Sequence, residues 1–467
     1  MKILLMIPPV GVLYGTYKDL APSRPPLGIA YIAAVLEKNN YKVKIFDGGI
    51  YTTEEELINE LNEYNPDIVG MSITSLTIKE ALRSAKKIKE LNKNIKIILG
   101  GPHISIDALN SMKYEEFDIS VIGEGEEALL EIVRYYENDG NIDDIKGIFY
   151  RNDGKIIQTK DREPIKNLDD LPYPARHLLP SPNKYKQTPF KNTRFPQTSM
   201  VSSRGCPYNC IFCSQYPFKH MFRFHSAKYV IAELEHLIKD YGIKEVAFQD
   251  DVFTLKKDRV IEICNEIINK KLDITWSCWA RVTMVDKELL ELMKKAGCIA
   301  ISYGIEAADD ETLKKIKKNI TIQQIQDAVK ATNEAGIYCI GHFILGYPFD
   351  TREIMKIRLD FAKSLPLDGA TFSTLIPFPG SEVYETAKTQ FGEYDQTFIY
   401  NETKYGSHNK PVYSPPGLTI KDMEEIRDKY YKSFYVRPKF IFRRLVRLKS
   451  FGELKTLYNA GKSLIKV

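Results

Sequence analysis

The chain has 467 residues, of which 43% are hydrophobic and 27% charged, proportions typical of a soluble globular protein with about three domains. A net charge of +5, from 66 basic and 61 acidic residues, argues against a nucleic-acid-binding protein. No apolar run reaches the roughly 18 residues that a bilayer crossing requires. Seven cysteines are too few, and odd in number, for a disulfide scaffold. We therefore expect a cytoplasmic protein with no nucleic-acid partner.

Residues 1–141 alternate apolar strands with amphipathic helices. This alternation is typical of a parallel sheet with helices on both faces, so we predict an α/β, doubly wound, Rossmann-like domain. The predicted strands are 2–7, 42–46, 68–73, 95–99 and 119–122, and the predicted helices are 27–39, 78–92 and 126–137.

The loops at the strand ends of this domain suggest what it binds, because ligands of doubly wound sheets lie at the carboxyl ends of the strands. The dinucleotide fingerprint Gly-x-Gly-x-x-Gly is missing after the first strand, where residues 8–12 read Pro-Pro-Val-Gly-Val, and this counts against NAD or FAD. Small residues instead mark three later strand ends, which leaves space for a large flat ligand. These loops are 72–75 (Ser-Ile-Thr-Ser), 100–103 (Gly-Gly-Pro-His) and 123–126 (Gly-Glu-Gly-Glu).

The rest of the chain divides into three further regions. Residues 142–196 are predicted to form a hairpin near 147–157 and then a proline-rich linker. Alternation resumes in 197–399, which predicts an open, partial (β/α)6 barrel. Residues 400–467 are predicted to be loop-rich and to end in basic amphipathic helices. The predicted barrel strands are 198–203, 245–249, 274–278, 299–305, 338–344 and 369–375, with helices at 227–241, 258–270, 286–296, 322–335 and 351–364.

Three cysteines, Cys206, Cys210 and Cys213, follow the first predicted barrel strand with the spacing Cys-x-x-x-Cys-x-x-Cys. Three thiolates cannot complete a tetrahedral structural zinc site, which needs four ligands. They can hold three irons of a 4Fe–4S cluster and leave the fourth iron open to a substrate. The other four cysteines show no paired spacing and are predicted to be buried small hydrophobes, although Cys278 could instead face the barrel cavity.

This motif, with the aromatic Phe212 before the third cysteine, resembles the signature of the radical S-adenosylmethionine (SAM) superfamily. The resemblance implies that Cys206, Cys210 and Cys213 bind the cluster, while the amino and carboxylate groups of SAM chelate the fourth iron. Reductive cleavage of SAM would then give the 5′-deoxyadenosyl radical. Phe212 is included among the residues expected to contact SAM.

Polar or turn residues also stand at the ends of the later barrel strands, where functional residues of such barrels lie. The resemblance implies that Gln249 and Asp250 accept the amino group of SAM. It further implies that Arg281 pairs with the carboxylate of SAM and that Glu306 approaches the ribose. Taken alone, Glu306 is equally well explained as a satisfied polar strand end. The turns 346–348 (Gly-Tyr-Pro) and 377–380 (Pro-Phe-Pro-Gly) follow the last two strands.

The two predicted domains together resemble the cobalamin-binding radical SAM family over nearly the whole chain, including the motifs at 25–28 and 168–172. The resemblance implies a 4Fe–4S cluster, SAM and cobalamin as cofactors. The lower-ligand motif Asp-x-His-x-x-Gly of other cobalamin folds is absent, since no histidine occurs between Met1 and Leu99. His103 is either a neighbour of the corrin or a turn histidine packed on its own loop. The alternative to a cobalamin-binding domain is one that no longer binds cobalamin. The predicted cobalamin contacts are Ser72, Thr74, Ser75, Gly100, Gly101, His103, Gly123, Glu124 and Gly125.

The resemblance implies an enzyme that methylates an unactivated carbon or a phosphinate centre. One SAM would methylate cob(I)alamin, and a second would supply the radical that abstracts a substrate hydrogen before methyl transfer. Two alternatives stay open: radical oxidation, cyclisation or rearrangement, as in anaerobic porphyrin-ring cyclases, and a non-catalytic cobalamin- or redox-responsive protein. The implied partners are a small-molecule, lipid or tetrapyrrole-like substrate and an external flavodoxin- or ferredoxin-type electron donor.

The charge is concentrated at the C-terminal end. Residues 430–467 hold ten Lys or Arg and one acid, a local charge of +9, so the other 429 residues sum to −4. Aromatic and aliphatic residues alternate with these cations between Phe434 and Lys449. Such a helix packs its apolar face on the barrel or lies peripherally on an anionic membrane at its inner face.

Overall fold

The computed structural model describes residues 1–9, 24–137, 140–185, 194–214, 218, 220–391 and 411–446. These residues fall into two compact units. The first holds the described residues up to 185 together with those between 214 and 224. The second holds the described residues of 194–213 and those from 225 onward. The domain boundaries expected at 141, 196 and 399 remain predictions.

The first unit contains a seven-stranded sheet in the order β2-β1-β3-β4-β5-β6-β7. The first five strands are parallel, and the final hairpin joins antiparallel to β5. The predicted hairpin therefore extends the sheet of the first unit. The strands are Lys2–Ile7 (β1), Lys42–Asp47 (β2), Ile68–Ser72 (β3), Lys96–Gly100 (β4), Ile119–Val121 (β5), Ile148–Asn152 (β6) and Lys155–Gln158 (β7), and the helices are Leu27–Lys38 (α1), Glu54–Tyr64 (α2), Ile78–Leu91 (α3), Ile104–Ser111 (α4) and Glu126–Tyr136 (α5).

The apolar runs of these strands result from burial on both faces of the sheet. Along β1, Leu4 and Met6 belong to one hydrophobic core and Ile3 and Leu5 belong to the other. Successive side chains of a strand point to opposite faces, so helices must cover both. The predicted doubly wound architecture is confirmed.

The sequence prediction omitted two helices of this unit, α2 and α4. Helix α2 buries only Leu57 and Leu61, so it has little apolar periodicity to detect. It begins with a capping box between Thr53 and Glu56, a sequence signal that was available. Helix α4 has only eight residues, too few to display a clear helical period.

The second unit contains six parallel strands in the order β8-β11-β12-β13-β14-β15, which is their order along the chain. This arrangement confirms the partial (β/α)6 architecture. The strands are Gln197–Met200 (β8), Glu245–Phe248 (β11), Thr275–Ala280 (β12), Cys298–Glu306 (β13), Tyr338–Leu345 (β14) and Gly369–Thr374 (β15), and two-residue strands lie at Ser203–Arg204 (β9) and Arg223–Phe224 (β10). The helices are Ala227–Tyr241 (α6), Lys257–Asn269 (α7), Lys287–Lys295 (α8), Asp310–Lys315 (α9), Ile322–Glu334 (α10), Arg352–Ser364 (α11), Glu382–Phe391 (α12), Ile420–Tyr435 (α13) and Pro438–Val446 (α14).

Strand alternation decides which residues of this sheet face the helices. Trp276 and Cys278 of β12 are buried in the hydrophobic core together with Cys264 and Cys298. Cys278 is thus a core residue, as the sequence favoured, and does not contribute a thiol to the barrel cavity. Arg281 follows the same strand and belongs to the site described below.

The C-terminal helices pack on this barrel. The Phe372 backbone N–H donates to the Tyr431 hydroxyl, and the Tyr435 hydroxyl accepts from the N–H of Ala370 on the edge strand β15 and donates to its carbonyl. Phe440 of α14 is buried against Phe434. Residues 10–12, 186–193, 400–410 and 447–467 of the predicted loop, linker and tail lie outside the described residues. Among the helices that the structure describes, none has the length and apolarity needed to cross a membrane.

Candidate functional site

The cysteine loop follows β8 and the short β9. Cys206 and Cys210 are half-buried and Cys213 is exposed, and none of the three forms a disulfide with another described residue. Each of the three interacts electrostatically with the others. Burial raises the pKa of Cys206, and the neighbouring Asp251 adds to this effect.

The chemistry of the loop fits a cluster better than a single ion. In the part of the chain that is described, no three His, Cys, Asp or Glu side chains converge as one metal ion would require. A 4Fe–4S cluster needs no such convergence, because each thiolate binds a different iron. Cys206, Cys210 and Cys213 would therefore hold the cluster.

Asp250, at the end of β11, fixes the start of this loop. Its carboxylate accepts hydrogen bonds from the Ser202 backbone N–H (2.7 Å) and from the hydroxyl groups of Ser202 (2.5 Å) and Ser203 (2.8 Å). Arg259 adds a bond of 2.9 Å to the Ser202 carbonyl. Asp250 is 1% exposed, so these contacts make it a loop-positioning residue. Its expected contact with the SAM amino group remains a prediction.

A second segment, Ile316–Asn319 after α9, supports the other side of the loop. The Ile211 N–H donates to the Ile316 carbonyl at 3.2 Å, and Arg281 donates to the Asn319 carbonyl at 3.2 Å. The guanidinium of Arg281 lies 3.9 Å from the centre of the Tyr208 ring, a cation–π contact. Arg281 is thus held against the cysteine loop, as a carboxylate-binding residue next to the cluster would need to be.

Glu306 ends β13 in a conformation that is unusual for a residue with a side chain. Its φ is +68°, and the register of the strand pair shifts between Gly304 and Glu306. Its buried carboxylate pairs with Lys318 at 3.2 Å. A Cβ at Gly304 would come within 2.7 Å of the Lys318 ammonium, so the glycine provides the room for this pair. Strained backbone of this kind concentrates at functional sites.

Lys318 is a site residue that the sequence did not reveal. It lies 5.9 Å from the centre of the Phe212 ring and interacts electrostatically with Cys206. Only the fold brings it beside Glu306. Phe212 is half-buried with its ring 6.0 Å from that of Tyr347, and Gln249 is half-buried at the end of β11.

In the first unit, the three predicted strand-end loops lie side by side. The Ile73 N–H donates to the Gly100 carbonyl at 2.9 Å, and the His103 N–H donates to the Ile73 carbonyl at 3.2 Å. The Gly123 N–H donates to the Ser105 hydroxyl at 3.1 Å. The loops after β3, β4 and β5 therefore form one continuous rim.

Glycines leave open space next to this rim. A Cβ at Gly100 or Gly123 would meet no atom within 4 Å, so both face open space. Gly101 has φ +95°, and a Cβ there would come within 2.7 Å of the Ile73 carbonyl oxygen. Such a rim fits a large flat ligand. Ser72 and Thr74 lie on it, with the Thr74 N–H bonded to the Thr77 hydroxyl at 2.9 Å.

Ser75 and His103 are less accessible than their neighbours. His103 is 2% exposed, and its Nδ1 lies 3.1 Å from the Ser75 hydroxyl. Burial lowers the pKa of His103 to about 4, so the imidazole is neutral at pH 7. The imidazole is packed within its own loops, and its expected contact with the corrin remains a prediction.

Glu124 and Gly125 have structural partners. The Glu124 carboxylate pairs with Arg223 at 2.7 Å and accepts from the Ile165 N–H at 2.8 Å. A Cβ on Gly125 would come within 2.9 Å of the Ile32 side chain, so this glycine allows α5 to approach α1. Their expected contacts with cobalamin remain predictions.

Comparison with known proteins identifies two family models that match this chain. The radical SAM superfamily model matches residues 200–362, and the B12 binding domain model matches residues 20–133. An uncharacterized methyltransferase from Pyrococcus horikoshii is 35% identical over 98% of this chain and 99% of its own length. An anaerobic magnesium-protoporphyrin IX monomethyl ester cyclase from Cereibacter sphaeroides is 29% identical over 95% of this chain and 75% of its own.

A solved structure shares the fold. The radical S-adenosylmethionine methyltransferase TsrM from Kitasatospora setae, with cobalamin and a 4Fe–4S cluster bound, matches with a TM-score of 0.73 and 17% identity. The match covers 99% of each chain. With the cysteine loop and the open rim, these findings show that the chain belongs to the cobalamin-binding radical SAM family, whose cofactors are a 4Fe–4S cluster, SAM and cobalamin.

Proposed function

We propose that this enzyme is a methyltransferase acting on an unactivated carbon or a phosphinate centre. The proposal rests mainly on the similarity to the Pyrococcus horikoshii protein, which is named as an uncharacterized methyltransferase. The match covers 98% of this chain and 99% of that protein. The three cysteines on one loop and the open glycine rim of the other unit support it. When bound, the cluster, SAM and cobalamin supply the radical and the methyl group.

The residues of this chain contribute by positioning the cofactors. Asp250 and Arg259 hold the start of the cysteine loop, and we propose that Arg281, which donates to the Asn319 carbonyl, pairs with the SAM carboxylate. The Glu306–Lys318 pair offers a carboxylate and an ammonium beside the loop. Holding reactants in one geometry is the principal contribution that a protein makes to cofactor chemistry.

Radical oxidation or cyclisation without methyl transfer is the second candidate. The similarity to the magnesium-protoporphyrin ester cyclase over 95% of this chain favours it. Both candidates use a small-molecule substrate and an external reductant. We propose a lipid or tetrapyrrole-like molecule as substrate and a flavodoxin or ferredoxin as electron donor.

One experiment without substrate separates the two candidates. The protein is purified without oxygen, loaded with iron, sulfide and cobalamin, reduced and given SAM. S-adenosylhomocysteine, methylated cobalamin and 5′-deoxyadenosine are then quantified by mass spectrometry. Equal amounts of the first two support methyl transfer, whereas 5′-deoxyadenosine with bound but unmethylated cobalamin supports oxidation or cyclisation.

We further propose that the C-terminal helices contact an anionic lipid surface. Ile441 and Phe442 of α14 are 45% and 70% exposed, although the adjacent Phe440 is buried. Exposed Lys432 and Lys439 lie in the same stretch. Apolar side chains that project beside cations are typical of helices that lie on anionic membranes.

This contact predicts binding to vesicles that contain phosphatidylserine or phosphatidylglycerol. The double variant Ile441→Ser/Phe442→Ser is expected to bind them roughly tenfold more weakly, because two exposed apolar side chains are lost from the interface. Sedimentation with vesicles measures the effect. Leu109→Ser, which removes an apolar residue 52% exposed in the other unit, should not change it. Equal sedimentation of wild type and the double variant would contradict the proposal.

A further inference from the structure

Tyr347 is the feature of the second unit that the site described above leaves unexplained. It follows Gly346 at the carboxyl end of β14, and its side chain is 0% exposed. Its hydroxyl has no hydrogen-bond partner among the described residues. A buried hydroxyl left unpaired is destabilising, so native proteins seldom retain one without a use.

The surroundings hold the Tyr347 ring firmly. Its centre lies 5.6 Å from the Phe349 ring in a stacked arrangement and 5.1 Å from the Arg358 guanidinium. The N–H groups of Gly346 and Tyr347 both donate to the buried Asp350 carboxylate at 2.9 Å. The hydroxyl is therefore fixed in place.

The ring also lies against the cofactor-binding groups. It is 6.0 Å from Phe212, which precedes the third cysteine. Its strongest charged neighbour is Glu306, and Cys210 is another. The unpaired hydroxyl thus belongs to the same cluster of residues as the cysteine loop and the Glu306–Lys318 pair.

We propose that the Tyr347 hydroxyl donates a hydrogen bond to an acceptor that arrives with the cofactors. This acceptor is a sulfur of the loaded cluster, either the Cys210 thiolate or a sulfide, or an oxygen of SAM. Hydrogen bonds to sulfur tune cluster potentials, and a bond to SAM would orient it. Tyr347 is then a positioning residue of the site. The inference rests on the cofactors of the family and not on methyl transfer.

The test compares wild type and Tyr347→Phe in three states: without cofactors, with the cluster, and with the cluster plus S-adenosylhomocysteine. Without cofactors, the variant should have the higher Tm, by about 2–4 °C, because it lacks the unpaired hydroxyl. The Tm difference between the variant and wild type should change sign in the first state that contains the acceptor. Fluorescence of Trp276 and Trp279, the two tryptophans of the chain, follows the second unit alone.

The state in which the sign changes identifies the acceptor. A change on cluster loading assigns it to sulfur, and the variant's cluster potential, measured by redox titration, should then be more negative. A change only on adding S-adenosylhomocysteine assigns it to the nucleoside ligand, whose affinity should fall roughly tenfold in the variant.

Tyr303→Phe is the matched control. Tyr303 is equally buried, but its hydroxyl lies 2.9 Å from the Thr332 hydroxyl. This variant should therefore lower the Tm by a similar amount in all three states. If the Tm difference between Tyr347→Phe and wild type keeps the same sign and size in all three states, the proposal is overturned. Such a result would leave the methyltransferase proposal unaffected, since that depends on the products formed from SAM.

Discussion

Cys210→Ala is expected to abolish SAM cleavage while leaving cobalamin binding unchanged. Cys210 is the central cysteine of the loop, and its loss leaves two thiolates where a site-differentiated 4Fe–4S cluster needs three. The rim of strand-end loops that is predicted to bind cobalamin belongs to the other compact unit, so it should keep its structure. Cluster content is measured by iron and sulfide analysis and by the cluster absorbance. SAM cleavage is measured as 5′-deoxyadenosine formation, and cobalamin binding as cobalamin retained after gel filtration.

Cys264→Ala serves as the control for this variant. Cys264 is a free cysteine as well, but it is fully buried in the hydrophobic core of the same unit. Its replacement should lower stability slightly and leave iron content and SAM cleavage in place. Normal 5′-deoxyadenosine formation by Cys210→Ala would refute the assignment of the cluster to this loop.

Asp350→Ala is expected to destabilise the second unit by about 3–5 kcal/mol, because it leaves the Arg358 guanidinium buried without its counter-charge. The side chains of Asp350 and Arg358 are both 0% exposed, and they form a two-pronged ion pair. The same carboxylate accepts the N–H groups of Gly346 and Tyr347, so those donors would be unpaired as well.

Urea unfolding followed by tryptophan fluorescence measures this effect, since both tryptophans lie on β12 of the second unit. Asp360→Ala, on helix α11 together with Arg358, is the control. Its ion pair with Lys356 is exposed, with side chains 54% and 71% accessible, and should contribute very little. An Asp350→Ala variant as stable as Asp360→Ala would show that the buried pair does not hold the loop after β14.

A further variant separates the charge from the hydrogen bonds. Arg358→Met removes the buried cation together with its bond to the Ile344 carbonyl. Combined with Asp350→Ala, it should recover part of the stability lost in Asp350→Ala alone, because no unpaired charge remains. Additive losses in the double variant would mean that the two side chains act independently.

The architecture of both units was predictable because it depends on periodicity. The parallel strands bury both faces, so runs such as Ile3–Met6 are continuously apolar, and the helices between them repeat at a helical period. The cysteine loop was predictable because its ligands are local in sequence. The helix α2 was not predicted, since only two of its residues are buried.

The candidate site was predictable only in part. Arg281 and Glu306 stand at strand ends. The structure places Arg281 against Tyr208 of the cysteine loop. It places Glu306 beside Lys318, which lies near Phe212 of the same loop. The contact of Asp250 with SAM stays a prediction, and the structure adds that its carboxylate accepts hydrogen bonds from Ser202 and Ser203. A strand-end position indicates which edge of the sheet a residue occupies, but it does not reveal which neighbours have already satisfied it.

The sequence by itself therefore determined the family and the two α/β units and predicted the three cluster ligands, since each depends on local spacing or on strand and helix period. The tertiary structure alone decided that Lys318 pairs with Glu306, that Gly304 makes room for them and that the Tyr347 hydroxyl is buried with no partner among the described residues. These relations join residues that are distant in sequence or depend on complete burial. They arise only when β13, β14 and the segment after α9 pack together, because burial and contact are properties of the folded chain.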